Sequence, residues 1–187
     1  HMSDVLDKKE AIDILKKLDS TKHDRITNLS KEGYPSYVTS AGWLGYSDEK
    51  IKTLCIEASK KGFKHVKLKV GKNLNDDVRR LAVVRETLGD EVKILLDANQ
   101  VWEVDQAIKW MKELSKFNPY FIEEPTSPDD ILGHRKIKDA IYPIKVATGE
   151  AVQNRIIFKQ LISHGAIDIV QIDACRMGGI NEALAVQ

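Results

Sequence analysis

Five carboxylate or amine positions recur at the ends of apolar runs. Lys67 and Lys69 stand in His65-Val66-Lys67-Leu68-Lys69-Val70, Asp97 closes Ile94-Leu95-Leu96, Glu123 closes Phe121-Ile122, and Glu150 follows Ile144, Val146 and Ala147. Asp97, Glu123 and Glu150 are spaced by 26 and 27 residues. Strand residues alternate between two faces. His65, Lys67 and Lys69 therefore share one face, Asp97 shares its face with Asn99, Glu123 with Phe121, and Glu150 with Val146 and Thr148, while Ile169, Gln171 and Asp173 share a face further on. Three carboxylates converging on one place repel one another unless a cation sits among them. Oxygen-only donors favour a hard divalent ion, and Mg2+ is the expected cofactor. Zinc is disfavoured, because neither His nor Cys joins the pattern.

Those positions need a scaffold that brings strand ends together. Strand-like runs at 63–70, 93–98, 120–124, 144–149 and 167–172 alternate with helical patterns at about 47–62, 75–89, 103–116, 128–140 and 153–163, after a β-prone Tyr37-Val38-Thr39-Ser40. Asn75 is the expected cap of the second of these helices, and Ser127-Pro128 mark the start of the fourth. Strands alternating with helices imply a parallel sheet. An open doubly wound sheet gathers ligand groups at one switch point, whereas here successive strands each end in an ionisable residue. The expected fold is therefore α/β, a partial (β/α) barrel of TIM type with its site at the carboxyl ends of the strands. About six of the eight units are present, spanning 34–187. Residues 1–2 read as a cloning scar, and 3–33 read as a helical leader in which Ala11, Ile12, Leu15 and Leu18 share a helix face. An arc of six strands has two unpaired edges, so self-association into a homo-oligomer is expected.

Composition narrows the function. The 187 residues are 42% hydrophobic and 30% charged, which suits a globular domain with a core rather than disorder. A net charge of +1 offers no general attraction to nucleic acid. No run approaches the ~20 apolar residues of a membrane span. Cys55 and Cys175 lack metal-ligand spacing, which suits a reduced, intracellular setting, cytoplasmic or mitochondrial.

Lys67-Leu68-Lys69, Asp97-Ala98-Asn99, Ile122-Glu123-Glu124-Pro125, Thr148-Gly149-Glu150 and Asp173 together resemble the second to sixth barrel strands of the enolase superfamily, mandelate racemase subgroup. Gly33-Tyr34-Pro35, Trp43-Leu44-Gly45-Tyr46 and the run from Glu124 to His134 resemble the L-fuconate dehydratase branch. The resemblance implies that Asp97, Glu123 and Glu150 hold Mg2+, that Lys69 is the base, that Lys67 and Asn99 contact the substrate, and that Asp173 belongs to the catalytic set. It implies a lyase that removes water from an acid sugar through an enediolate. The pairing of a Lys base with Mg2+ is a documented trait of this superfamily. Its seventh-strand histidine partner of Asp173 and its capping domain have no counterpart in these residues, so little dehydratase activity is expected of the chain alone. Two other readings fit the same residues: a non-catalytic chain acting through association, and a Mg2+-dependent racemase or cycloisomerase.

Overall fold

The computed structural model describes residues 7–33 and 36–187. The expected scar, the first residues of the leader and Tyr34-Pro35 lie outside them. The chain divides into two compact units, residues 1–36 and 37–187.

In the first unit, α1 (Lys8–Asp19) and α2 (Lys22–Glu32) are helices with no buried residue. Asp7 caps α1 in a reciprocal box with Glu10, each backbone N–H donating to the other's carboxylate at 2.8 Å.

The second unit contains β1 (Val38–Gly42), α3 (Asp48–Lys60), β2 (His65–Lys69), α4 (Leu74–Leu88), β3 (Lys93–Asp97), α5 (Val104–Leu114), β4 (Pro119–Glu123), α6 (Ile131–Ile141), β5 (Lys145–Thr148), α7 (Arg155–Ser163), β6 (Ile169–Val170) and α8 (Ile180–Val186). The six strands form one sheet in the order β1-β2-β3-β4-β5-β6, parallel throughout. Because the order never reverses, every crossover passes on the same side, and consecutive helices lie side by side there. This is the arrangement of a barrel wall.

Two apolar clusters follow from the alternation. The larger lies between sheet and helices and takes Val66, Leu68, Ile94, Leu96, Ile122 and Val146 from the strands and Ile51, Leu81, Met111, Ile137 and Phe158 from the helices. The smaller, on the other face, is Leu95, Phe121 and Ala147, with Tyr120 and Ile169 packed against it. Two helix starts differ from the sequence reading. Asn73, not Asn75, caps α4, and Asp130, not Ser127, caps α6, accepting from the Gly133 N–H at 2.8 Å. In both cases the residue whose oxygen reaches the third N–H of the turn decides the start. The strand expected over 167–172 shrinks to two residues.

A buried cation ties the loops above the sheet together. Arg80 is fully buried on α4, pairs with Asp76 and Asp77 and donates to the Gly42 carbonyl at 3.2 Å. Asp77 accepts from the Gly71 N–H at 2.8 Å and from the Trp110 indole at 3.1 Å. The loops after β1 and β2 are thereby pinned to α4 and α5.

Candidate active site

Strand register places the charged residues in one row. Lys69 pairs with Asp97 across β2 and β3, and Asp97 pairs with Glu123 across β3 and β4. Val66 and Leu68 fill the helix-side core, which turns Lys67 and Lys69 to the opposite face. There the Lys67 ammonium donates to Glu123 Oε2 at 2.7 Å and lies 3.0 Å from Asp97 Oδ2. Lys69 Nζ donates to Asp97 Oδ2 at 2.5 Å and to Asn99 Oδ1 at 2.6 Å. One carboxylate oxygen thus receives both ammonium groups. Asp97 and Glu123 are fully buried and Lys67 nearly so. Removing such charges from water is costly, and only mutual pairing offsets it.

The balance of those terms shows in the proton affinities. Burial pulls Lys67 down, but the Glu123 hydrogen bond and the Asp97 and Glu123 charges outweigh it and hold the ammonium well above its ordinary range. Burial, with the Asp97 charge added, raises the Glu123 carboxyl despite its bond from Lys67. Among the described residues, no group comes within hydrogen-bond distance of the buried Glu123 Oε1, although the Gln171 side chain acts on the same carboxyl.

The strands end in strained turns that sequence alternation does not show. Asn99, Gln100 and Glu124 all have positive φ, at 45°, 66° and 45°. Each such conformation costs on the order of 1–3 kcal/mol for a residue with a side chain. Hydrogen bonds hold them there: Gln100 N–H to the Glu124 carbonyl at 2.8 Å, Gln100 Nε2 to Glu124 Oε1 at 2.7 Å, and Asn99 Nδ2 to Glu124 Oε2 at 3.4 Å. Glu124 and Gln100 therefore fix the amide that faces Lys69. Neither was singled out by type or spacing, and the only signal was the doubled acid before Pro125. Tyr37 and Trp43 also adjoin the lysines, with ring centroids 5.3 Å from Lys67 Nζ and 6.0 Å from Lys69 Nζ.

On the other side the residues are not gathered. Val146 faces the helices and Ala147 the smaller cluster, so Glu150 cannot reach the site by sharing a face with Val146. The strand instead stops at Thr148. Gly149 then takes φ 145° where a Cβ would lie 2.0 Å from the Gln171 carbonyl oxygen, and Glu150 stands exposed on the turn that follows. Glu150 and Asp173 line an open cavity of about 500 Å3 with Gln171, Phe121 and Tyr37. Asp173 lies beyond β6 and accepts from the Cys175 N–H at 2.8 Å. Among the described residues, no three Asp, Glu, His or Cys side chains stand close enough to hold a metal ion. His134 is buried in α6 against the Asp130 carbonyl, and His164 ends α7.

Residues 50–187 match the family described as enolase C-terminal domain-like. The chain belongs to that family. This enolase-type domain is 53% identical over 191 residues to an L-galactonate dehydratase from Hypocrea jecorina, a match that takes in all of the chain and 42% of that protein. It is 48% identical to human mitochondrial enolase superfamily member 1, and the crystal structure of that protein superposes with a TM-score of 0.95 over 100% of the chain and 43% of its own. L-talarate/galactarate dehydratase from Salmonella typhimurium, crystallised with Mg and L-lyxarohydroxamate, is 39% identical with a TM-score of 0.75 over 80% of the chain and 38% of its own. The enolase-type domain therefore spans about two-fifths of the length of these relatives, and the partial barrel expected from the sequence is the same wall that they share.

Proposed function

We propose that this domain is the proton-abstracting part of a Mg2+-dependent acid-sugar dehydratase acting on an aldonate of the L-fuconate or L-galactonate type. The observation that carries the reading is the row of Lys69, Lys67, Asp97, Asn99 and Glu123 across β2 to β4, held by contacts of 2.5–3.0 Å. L-Fuconate is the 6-deoxy form of L-galactonate, so the dehydratase named among the relatives and the motif resemblance point to one stereochemical class.

The donor chemistry fits Mg2+. Asp97 and Glu123 are adjacent, all-oxygen and buried, and Glu123 Oε1 has a free lone pair. They would hold the ion together with Glu150. When bound, Mg2+ supplies positive charge opposite the substrate carboxylate, where negative charge develops. Lys67 would add its ammonium to that carboxylate, and Asn99 would orient the sugar. Lys69, as the free amine, would take the proton from C2; the electron pair left behind forms the C2–C3 double bond as the C3 hydroxyl departs. In this reading Asp173 belongs to the side of the site from which the leaving hydroxyl gains its proton.

The test separates the first half of the reaction from the second. The chain, loaded with Mg2+ and given L-galactonate in D2O, is expected to lose the C2–H signal by NMR even without dehydration, and Lys69→Met is expected to stop the loss. Calorimetry should show Mg2+ binding that Glu123→Gln abolishes. Mg2+ binding without exchange would overturn the assignment of Lys69.

A further inference from the structure

The opposite ends of the same strands carry a second charged group. The register between β3 and β4 slips: Ile94 pairs with Pro119, but Leu95 pairs with Phe121, which leaves Tyr120 as an extra residue. Such a bulge re-aims a side chain. Strict alternation would put Tyr120 with Ile122 among the helices; instead it packs against the smaller cluster, beside Phe121 at a centroid distance of 6.0 Å. The bulge thus delivers a phenol to the amino ends of β2 to β5, where His65, Lys93 and Lys145 begin their strands.

Both lysines converge on that ring. Lys93 Nζ lies 4.3 Å and Lys145 Nζ 4.5 Å from its centroid, and Lys145 Nζ donates to the Tyr120 hydroxyl at 2.9 Å. The His65 ring stands 6.3 Å away. Among the described residues, no carboxylate comes within ion-pair distance of either lysine; Asp168 pairs with Lys138 at 2.8 Å and acts on Lys145 only through its charge. Lys93, Tyr120 and Lys145 open on a cavity of about 400 Å3. Arg85, also on its wall, is spent on the carbonyls of Phe117, Gly89 and Val92 at 2.7–2.9 Å; two carboxylates share the wall, Asp90, which faces Arg85 at 3.8 Å, and Glu91.

We infer that this end of the sheet is an oxyanion site, in which the Lys93 and Lys145 ammonium groups and the Tyr120 hydroxyl receive a phosphate dianion. Two unpaired positive charges with a phenolic donor match a doubly charged oxyanion better than a carboxylate, because each ammonium then gains a charge-assisted hydrogen bond. The two lysines already favour negative charge at the phenol oxygen: the hydrogen bond from Lys145, with the lysine charges, lowers the Tyr120 hydroxyl below its ordinary range. His65 is lowered first by burial and then by the Lys93 charge.

The probe is inorganic phosphate, titrated into the full chain at constant ionic strength. Saturable binding is expected, weakened about tenfold by Lys145→Gln through loss of one charge-assisted hydrogen bond. A bound dianion opposes the phenolate and favours the imidazolium. Phosphate should therefore raise the midpoints of Tyr120, followed at 295 nm against Tyr120→Phe, and of His65, followed by NMR. These two shifts need no lysine variant, so a misfolded Lys145→Gln chain would not hide the answer. Non-saturating binding, binding of equal strength in a folded Lys145→Gln chain, or midpoints that phosphate leaves unmoved would each overturn the site and leave only a counter-ion atmosphere.

Discussion

Along β2, β3 and β4 the charged side chains form a closed, buried network, while beyond β5 and β6 the acids of the same sequence pattern lie off the strands, Glu150 on an exposed turn and Asp173 half-buried in a loop. In the first region every group is placed by strand register, with Lys69 opposite Asp97 and Asp97 opposite Glu123. In the second, β5 stops at Thr148 and β6 at Val170, so Glu150 and Asp173 depend on loop conformation. A parallel ladder fixes a side chain to within its pleat, whereas a turn holds it only through its own contacts. The closed region is therefore preorganised by the fold, and the open region by whatever binds there.

The comparison breaks most sharply at Asp97. Asp97→Ala leaves two ammonium groups, one of them nearly fully buried, without their shared oxygen, and should cost about 3–5 kcal/mol in urea unfolding at neutral pH. A cost near zero would mean that the network is not preorganised. Gly149→Ala should be the next largest effect. Its Cβ would lie 2.0 Å from the Gln171 carbonyl oxygen and 2.8 Å from Phe158, at a backbone angle that only glycine adopts freely. A loss of about 1–3 kcal/mol is expected by the same measurement, because a side chain there has no room beside the Gln171 backbone.

Glu150→Ala sharpens the contrast. Glu150 is exposed, so stability should change by less than about 0.5 kcal/mol. Mg2+ affinity should fall by more than the ~10-fold typical of a supporting partner, measured by calorimetry. If Mg2+ binding is unchanged, the open region takes no part in holding the ion. The two thiols give the smallest and simplest check. Cys175 is exposed beyond β6, whereas Cys55 is buried on α3, and burial pushes its thiol up to about 11. A disulfide reagent at pH 8 should label Cys175 in the native chain and Cys55 only on unfolding. Equal rates would mean that the helix layer opens as readily as the loop.

The strand–helix alternation, the inward lysines and the ends of β3 and β4 were legible in the sequence, because period-2 burial writes itself into residue type: Val66, Leu68, Ile94 and Leu96 are all core. The turn after β5 was not. Parity read through Gly149 as though the strand continued, and a glycine at φ 145° ends that bookkeeping. Gln100 left no trace in the sequence and the bracing role of Glu124 none beyond the doubled acid before Pro125, since a positive φ has no periodic signature.

By itself, then, the sequence determined which side chains face the helices, which strand ends carry acid or amine, and the family to which that order belongs. These are local consequences of apolar spacing and of short motifs. Only the tertiary structure decided that one oxygen of Asp97 serves two lysines, that Glu124 braces Asn99, that a bulge turns Tyr120 toward Lys93 and Lys145, and that Glu150 stands apart. Each depends on the register between strands and on the turns that end them, which are set by pairing between segments 20 or more residues apart.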